Sequence, residues 1–515
     1  MTRWLHPWRV FLAAFCLLLA LPFQATAEER AGSLNRSSTS PQAEEAPPQE
    51  MPPGALQKRI DAAAPDSVLT IPRGIYRETA VIDKPLTIIG EPGAEIRGSD
   101  IWSSGWERRG EHWYHGGAPQ FEITGEWCRD GSNGRCNWPH QVFIDGNPLY
   151  QVEGLPVQGQ FAVNSAGEIV LADDPASGNV EVTTRTAWII SASDGITIQG
   201  FTMRHAADRL HEGALSNGRF SNWTVQGNTL LHAHMAVISI REGGNLKILG
   251  NEIAYGGRMG IHSWFAWDVE IAHNRVHSNN TEDFEGGWEA GGMKLSGLAR
   301  SVVHQNEVFD NNAAGIWCDV ESDHVSIEQN RVHHNRRYGI LYEISRFGRI
   351  VDNQIWENGW GFTDWGFGGG FVCQNCRDTE VTGNVVAWNG DGISMISQAR
   401  DGYTDVVNNQ VRDNVIVLMT DWSQNTYMLA WLEDWSGQLT AESSNNRGAN
   451  NRYYHAAPEG AFLPFTWGQH ERFGLDDLGS FNATGGEENG ILISSDDARS
   501  ILASRDMPLD PESHE

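Results

Sequence analysis

The sequence predicts an all-β fold: a solenoid of coils about 23 residues long, with a small β insertion and a C-terminal cap. Three observations predict it. The first is a recurring step of Asn, any residue, then an aliphatic one. It reads Asn228-Thr-Leu230, Asn251-Glu-Ile253, Asn274-Arg-Val276 and Asn306-Glu-Val308, then Asn330-Arg-Val332, Asn353-Gln-Ile355, Asn384-Val-Val386 and Asn409-Gln-Val411. The intervals are 23, 23, 32, 24, 23, 31 and 25 residues. The second is another Asn five residues after five of these, at Asn279, Asn311, Asn335, Asn358 and Asn389. The third is a Gly-aliphatic step in register with both: GIHSW at Gly260, GMKLS at Gly292, GIWCD at Gly315, GILYE at Gly339, GFVCQ at Gly370 and GISMI at Gly392.

Each unit holds short strands such as VSIEQN and RIVDN that alternate in and out, joined by tight turns. Asn tolerates the left-handed backbone that such turns need. Stacked Asn side chains can also hydrogen-bond along the axis. A single coil cannot bury its apolar face, so neighbours must stack into one continuous core. Helical repeats of similar length need a 3.6-residue apolar period, which is absent.

The elements follow in chain order. Arg3 and Arg9 precede an apolar run from Val10 to Leu21, and Ala25-Thr26-Ala27 offers a cleavage site, so residues 1–27 read as an export signal. Residues 28–53, rich in Pro, Ser, Glu and Ala, read as a disordered linker. LQKRIDAA reads as a capping helix and LTIPRGIYRETAVIDKPLTIIG as the first coils, within 54–99. Residues 100–185 depart from the cadence and read as a small β insertion. The coil stack spans 186–420 and carries the expected active face. Residues 421–515 cover the solenoid end, with a helix over SSDDARSILASRD started by Ser and Asp.

The Asn, Asn and Gly-Ile cadence, with the helix and first coils before it, resembles the right-handed parallel β-helix of the pectin-lyase-like superfamily. The resemblance covers roughly residues 55–420. It implies that fold, and a cleft on the strand face bordered by long loops. It leaves the activity open, because such a fold hosts lyases, hydrolases, epimerases, transferases and adhesins.

Composition narrows the function. The 515 residues include 21 Trp and 56 Gly, which suits a turn-rich β protein. The net charge of −29 argues against nucleic acid and anionic membranes as partners, since both would repel it. The expected partner is a polysaccharide or oligosaccharide, and the expected location is secreted or periplasmic. If Cys16 leaves with the signal, five cysteines remain. Cys128 and Cys136 flank a polar loop and could pair in an oxidising compartment, whereas Cys373-x-x-Cys376 lacks a second CxxC for zinc. Cys318 is the expected free thiol, as a small core filler.

Strand alternation on the Gly-aliphatic step sorts the coils into columns. The inward column is Ser263, Leu295, Cys318, Tyr342, Cys373 and Met395. One outward column is His262, Lys294, Trp317, Leu341, Val372 and Ser394, and the other is Trp264, Ser296, Asp319, Glu343, Gln374 and Ile396. Asp319 and Glu343 therefore become lateral neighbours about 4.8 Å apart in backbone. Like charges so placed destabilise a sheet, and such a pair raises one carboxylate's pKa as acid–base chemistry requires. The alternative is a solvated polar face, or a pair neutralised by Arg346 or Lys294.

The two long intervals add EDFEGGWEAGG and GWGFTDWG at the same face, loading it with Trp288, Glu289, Trp360, Asp364 and Trp365. Aromatic walls beside carboxylates suit sugar rings. Candidate catalytic residues are Asp319, Glu343, Glu289 and Lys294. Candidate substrate-binding residues are Trp288, Trp317, Glu321, Trp264, His262, Trp360, Asp364 and Trp365. His232, His234, His333 and His334 fall at turns without a matching third ligand, so no metal site is assigned, and GFGGGF opens no dinucleotide-binding helix.

Three functions remain open. The first is a glycoside hydrolase using the Asp319–Glu343 pair, with Glu289 or Glu321 supporting. The second is a polysaccharide lyase or C5-epimerase, with Lys294 as the base and Ca²⁺ held by acids. The third is a non-catalytic glycan-binding β-helix. No cofactor other than possible Ca²⁺ is expected.

Overall fold

The computed structural model describes residues 48–511, apart from 124, 360, 361, 363, 401, 403, 404, 419–425, 434–436 and 457–462. The expected export signal and most of the linker lie outside the described residues. So does Trp360. No helix among the described residues is long and apolar enough to cross a membrane.

Short strands of three to seven residues dominate, and turns bend the chain from one strand to the next. Three long sheets result, of 12, 13 and 13 strands among the described residues, in which each strand pairs in parallel with its counterpart in the next coil, except for the antiparallel Phe465–Trp467 and Glu471–Phe473 pair that ends the front sheet. The front sheet runs through Ala236–Arg241, Met259–Trp264, Gly291–Ser296, Ala314–Asp319, Ile340–Glu343, Gly369–Gln374 and Asp391–Ser397. Its register is the one read from the Gly-aliphatic step: His262 pairs with Lys294, Lys294 with Trp317, and Trp317 with Leu341. Inward residues Ser263, Leu295, Cys318, Tyr342, Cys373 and Met395 are all fully buried. The core between the sheets is one continuous column of aliphatic and aromatic side chains.

Two ladders of buried Asn run along the turns. In the first, Asn228, Asn251, Asn274, Asn306, Asn330, Asn353 and Asn384 each donate through Nδ2 to the next Oδ1, at 2.9 to 3.0 Å. In the second, Asn279, Asn311, Asn335 and Asn358 do the same, at 2.8 to 2.9 Å, and the run ends at Asn389, whose Nδ2 donates to the Ile355 and Ala387 carbonyls. Each Oδ1 also accepts a backbone N–H of the preceding coil, as Asn330 Oδ1 does from Asn306 N at 3.0 Å. Buried amides are thus satisfied in both directions.

Two sequence expectations change here. Asn384 passes its bond to Asn414, not Asn409, and Asn409 belongs to a separate ladder with Asn446 at the preceding turn. The motif Asn409-Gln-Val411 has the right spelling at the wrong corner. The left-handed residue of each turn is also the one before the Asn: His273, Gln305, Gln329 and Asp352 have φ of 57°, 52°, 55° and 53°. Asn is required for its side-chain amide, not its backbone tolerance.

The ladder also explains the glycines. A Cβ on Gly315 would meet Gly339 O at 2.5 Å and Asn335 Nδ2 at 2.9 Å, so the strand can start beside the ladder only without a side chain.

Helix α1 (Ala55–Ala62) plugs the N-terminal end with Leu56 and Ile60. Residues before it already join the coils, since Glu50 bridges Ile75. The segment from 99 to 183 leaves the stack and forms two small, largely antiparallel sheets of four and five strands. Near the other end, Leu478 and Phe481 of α2 (Leu478–Asn482) enter the core. Helix α3 (Ser495–Ser504) starts at Ser494, whose hydroxyl accepts from Asp497 N. It packs on the flank of the stack against Trp356, Ala387 and Trp388, not over the open end. Cys128–Cys136 and Cys373–Cys376 are disulfide-bonded, and Cys318 is free and buried.

Candidate active site

The front sheet carries Asp319 at the end of the Ala314–Asp319 strand and Glu343 at the end of the next, Ile340–Glu343. They follow the paired residues Cys318 and Tyr342, so they are lateral neighbours on the outer face. Two side chains from the other outward column connect them. Lys294 Nζ donates to Asp319 Oδ2 at 2.5 Å and lies 3.0 Å from the centroid of the Trp317 ring. Trp317 Nε1 donates to Glu343 Oε2 at 2.9 Å. Asp319 Oδ1 accepts the Val320 amide at 2.6 Å, and Glu343 Oε1 takes the Arg400 guanidinium. The chain Asp319–Lys294–Trp317–Glu343 therefore fixes both carboxyl groups.

Burial raises the Glu343 pKa above the ordinary glutamate value, and the Asp319 charge beside it raises it further. Lys294 and Arg400 oppose the rise without cancelling it. The arrangement is a charge-neutralised pair in which one carboxyl group has a raised pKa. Lys294 serves Asp319, as one alternative anticipated, whereas Arg346 is bound to Asp323 instead.

A second cluster adjoins this one in register. Glu289 accepts from His211 Nε2 at 2.9 Å and pairs with the buried Arg258, which also reaches Glu126 at 3.3 Å. His211 stacks on His262 at 4.8 Å, and His262 is the strand neighbour of Lys294. Glu289 thus lies on the same face as Asp319. The hydrogen bond from His211 and the Arg258 guanidinium hold its pKa down at about 2 although burial opposes this. His262, buried against His211, is pushed down to about 3 and is neutral at ordinary pH. Potential ligand atoms of His211, His262 and Glu289 come within 4.8 Å of one another. Arg258 already neutralises Glu289, which makes the cluster a poor divalent-cation site.

The face is less open than outward alternation implies. Lys294 and Trp317 are only 2% and 3% exposed. Leu341, Val372 and Ile396 are buried too, because Trp365 and Phe367 of the second long loop pack over them with Tyr338, Tyr427 and Leu432. Trp317 accordingly works as a buried strut, with Tyr338 against its edge, not as an open platform. His262 is buried elsewhere on the face, against His211 and Ser239. Trp264 is half-buried and meets Phe265 edge-on. Glu321 is exposed at the turn after the Asp319 strand, with φ 60°. Asp364 opens a short 3₁₀ turn (Asp364–Gly366). Trp288 is exposed and meets Trp127 of the insertion in a tilted ring contact. Trp127, Glu126, His211, Arg258 and Arg400 escaped sequence reasoning because they lie outside the repeating step. Their signal is contact, not spacing.

A family model described as a right handed beta helix region matches residues 213–369. No curated protein matches the chain. Among solved structures, one titled as the complex of XylC with xylose is 15% identical, with a TM-score of 0.62 over 81% of this chain and 83% of that one. An Azotobacter vinelandii mannuronan C-5 epimerase AlgE6 A-module is 11% identical over 85% of this chain and 94% of its own, at a TM-score of 0.38. A structure titled glycoside hydrolase is 10% identical over 82% and 91%, also at 0.38. The matched coils and the shared backbone course identify the fold: the chain is a right-handed parallel β-helix.

Proposed function

We propose that the chain is a retaining glycoside hydrolase acting on a neutral sugar. The observation that carries this reading is the Asp319–Glu343 pair, held one coil apart with Glu343 shifted toward its protonated form. Glu343 protonates the glycosidic oxygen as Asp319 attacks the anomeric carbon, which forms a glycosyl ester and releases the leaving alcohol. Glu343, now a carboxylate, removes a proton from water. The hydroxide replaces Asp319 at the anomeric carbon, with two inversions and net retention. Neighbouring-strand backbone spacing of about 4.8 Å allows the short carboxyl separation of retaining enzymes, and the product anomer decides it.

Lys294 supports this reading over a lyase. Its ammonium is engaged by Asp319 and by the Trp317 ring, so a proton-abstracting role would need it to leave both. Its natural task is to orient the nucleophile. The chain's negative charge supports a neutral substrate over a polyuronate. Xylose, bound in the structural neighbour, is the first sugar to test. The experiment is release of p-nitrophenol from aryl glycosides of neutral pentoses and hexoses, with proton NMR of the first-formed anomer. Retention is expected. Inversion, or unsaturated uronate ends from a polyuronate, would overturn the reading.

A further inference from the structure

The insertion and the first long loop together build a feature that the catalytic pair does not use. Trp127 and Trp288 lie against each other in a tilted contact, with centroids 4.7 Å apart and planes 31° apart, yet they remain 61% and 49% exposed. Large indoles left in water gain little for the fold, so an exposed pair in mutual contact marks a contact surface. The pair is held in place from three sides. Residues 127–129 run antiparallel to 283–285, with Cys128 bridging Phe284, Glu285 N donating to Trp127 O at 2.9 Å and Arg129 N to Asp283 O at 2.8 Å. Cys128 is disulfide-bonded to Cys136. The residues beside the indoles, Glu126 and Glu289, both bind Arg258. This brings the platform against the Glu289–His211–His262 strip that continues to Lys294 and Asp319.

The geometry points to a sugar-binding platform at Trp127 and Trp288 that takes a pyranose ring of a neutral oligosaccharide beyond the bond being cleaved. Indole faces pair with the apolar CH faces of a sugar, and the carboxylates alongside can accept from its hydroxyls. The flanking Glu126 and Glu289 and the acidic chain disfavour an anionic occupant. The inference rests on the glycosidase reading, and it makes the insertion a determinant of chain-length preference.

The test compares wild type, Trp127→Ala, Trp127→Phe and Trp288→Ala on p-nitrophenyl β-xyloside and on xylo-oligosaccharides of increasing length. Both alanine variants should lose at least ten-fold more kcat/KM on the longer oligosaccharides than on the aryl glycoside, chiefly through KM. Trp127→Phe should recover part of the loss. Equal losses on both substrates, or none, would overturn the platform. Affinity electrophoresis in soluble xylan separates this from failure of the catalytic reading. If no glycoside is cleaved, xylan should still retard wild type more than either alanine variant. Identical migration, or retardation by polygalacturonate instead, would overturn it.

Discussion

Trp317 and Glu343 are joined across adjacent coils by a 2.9 Å bond from the indole N–H to the carboxylate, while Lys294 lies 3.0 Å from the centroid of the same indole ring. One aromatic side chain therefore couples the cation of the Asp319 side to the acid on the Glu343 side. The β-helix makes this possible because successive coils place outward residues in fixed lateral register.

Glu343→Gln should retain the fold while cutting turnover by about 10²–10⁴-fold, the usual scale of acid–base catalysis. Asp319→Asn removes the nucleophile and should cut turnover at least as far, with some loss of stability because the buried Lys294 is left without its carboxylate. Steady-state turnover with thermal unfolding as the folding control checks this. Added azide should restore product formation to Glu343→Ala as a glycosyl azide, since a small anion needs no base. Near-wild-type turnover of both amide variants would remove the pair from the mechanism.

Lys294→Met should be less benign than a surface change. It leaves Asp319, 8% exposed, without its cation, and removing one member of a buried pair costs about 3–5 kcal/mol. Urea unfolding should show the lost stability. The double variant Lys294→Met/Asp319→Asn should recover much of it, because no uncompensated charge remains.

The pH dependence follows from Glu343, whose pKa is raised by burial and by Asp319. A general acid must be protonated, so kcat/KM should fall as pH rises through that raised value. Glu343→Gln should abolish this alkaline limb. A raised carboxylate pKa also means the folded state holds the proton more tightly than the unfolded chain. Its contribution to stability is complete below the unfolded value of 4.5 and is lost as pH rises through the folded one. Wild type should therefore lose more stability than Glu343→Gln over that range, as read by melting temperature against pH.

Asn330→Ala should destabilise the stack by about 2–4 kcal/mol. Asn330 is fully buried, donates to Asn353 Oδ1 at 3.0 Å and Val303 O at 2.8 Å, and accepts from Asn306 N and Nδ2, both at 3.0 Å. Each bond leaves a buried partner unsatisfied when removed. Asn409→Ala should not interrupt the Asn384–Asn414 ladder, and denaturant midpoints of the two variants test that separation.

Thiol titration of the denatured, unreduced protein tests the expected export. Four cysteines are paired and Cys318 is buried, so native protein should react slowly and denatured protein should show one thiol if residues 1–27 are removed. A second thiol would report retained Cys16.

What the sequence determined by itself is whatever repeats. Coil length, strand direction, the inward column from Ser263 to Met395 and the adjacency of Asp319 to Glu343 all follow from one period, because a parallel stack converts a sequence interval into a spatial neighbour. The Asn column was legible for the same reason. It failed only at Asn409, where a similar tripeptide sits at another corner, since local spelling does not record which turn a residue occupies. Tertiary structure alone decided everything that comes from outside the period. Arg400 on Glu343, His211 and Arg258 on Glu289, Trp127 on Trp288, and Trp365 roofing the face are contacts made by loops and the insertion. Alternation states that Trp317 and Lys294 point outward. Whether outward means solvent or a covered, low-dielectric site depends on what packs above, and that covering brings Glu343 to its raised pKa.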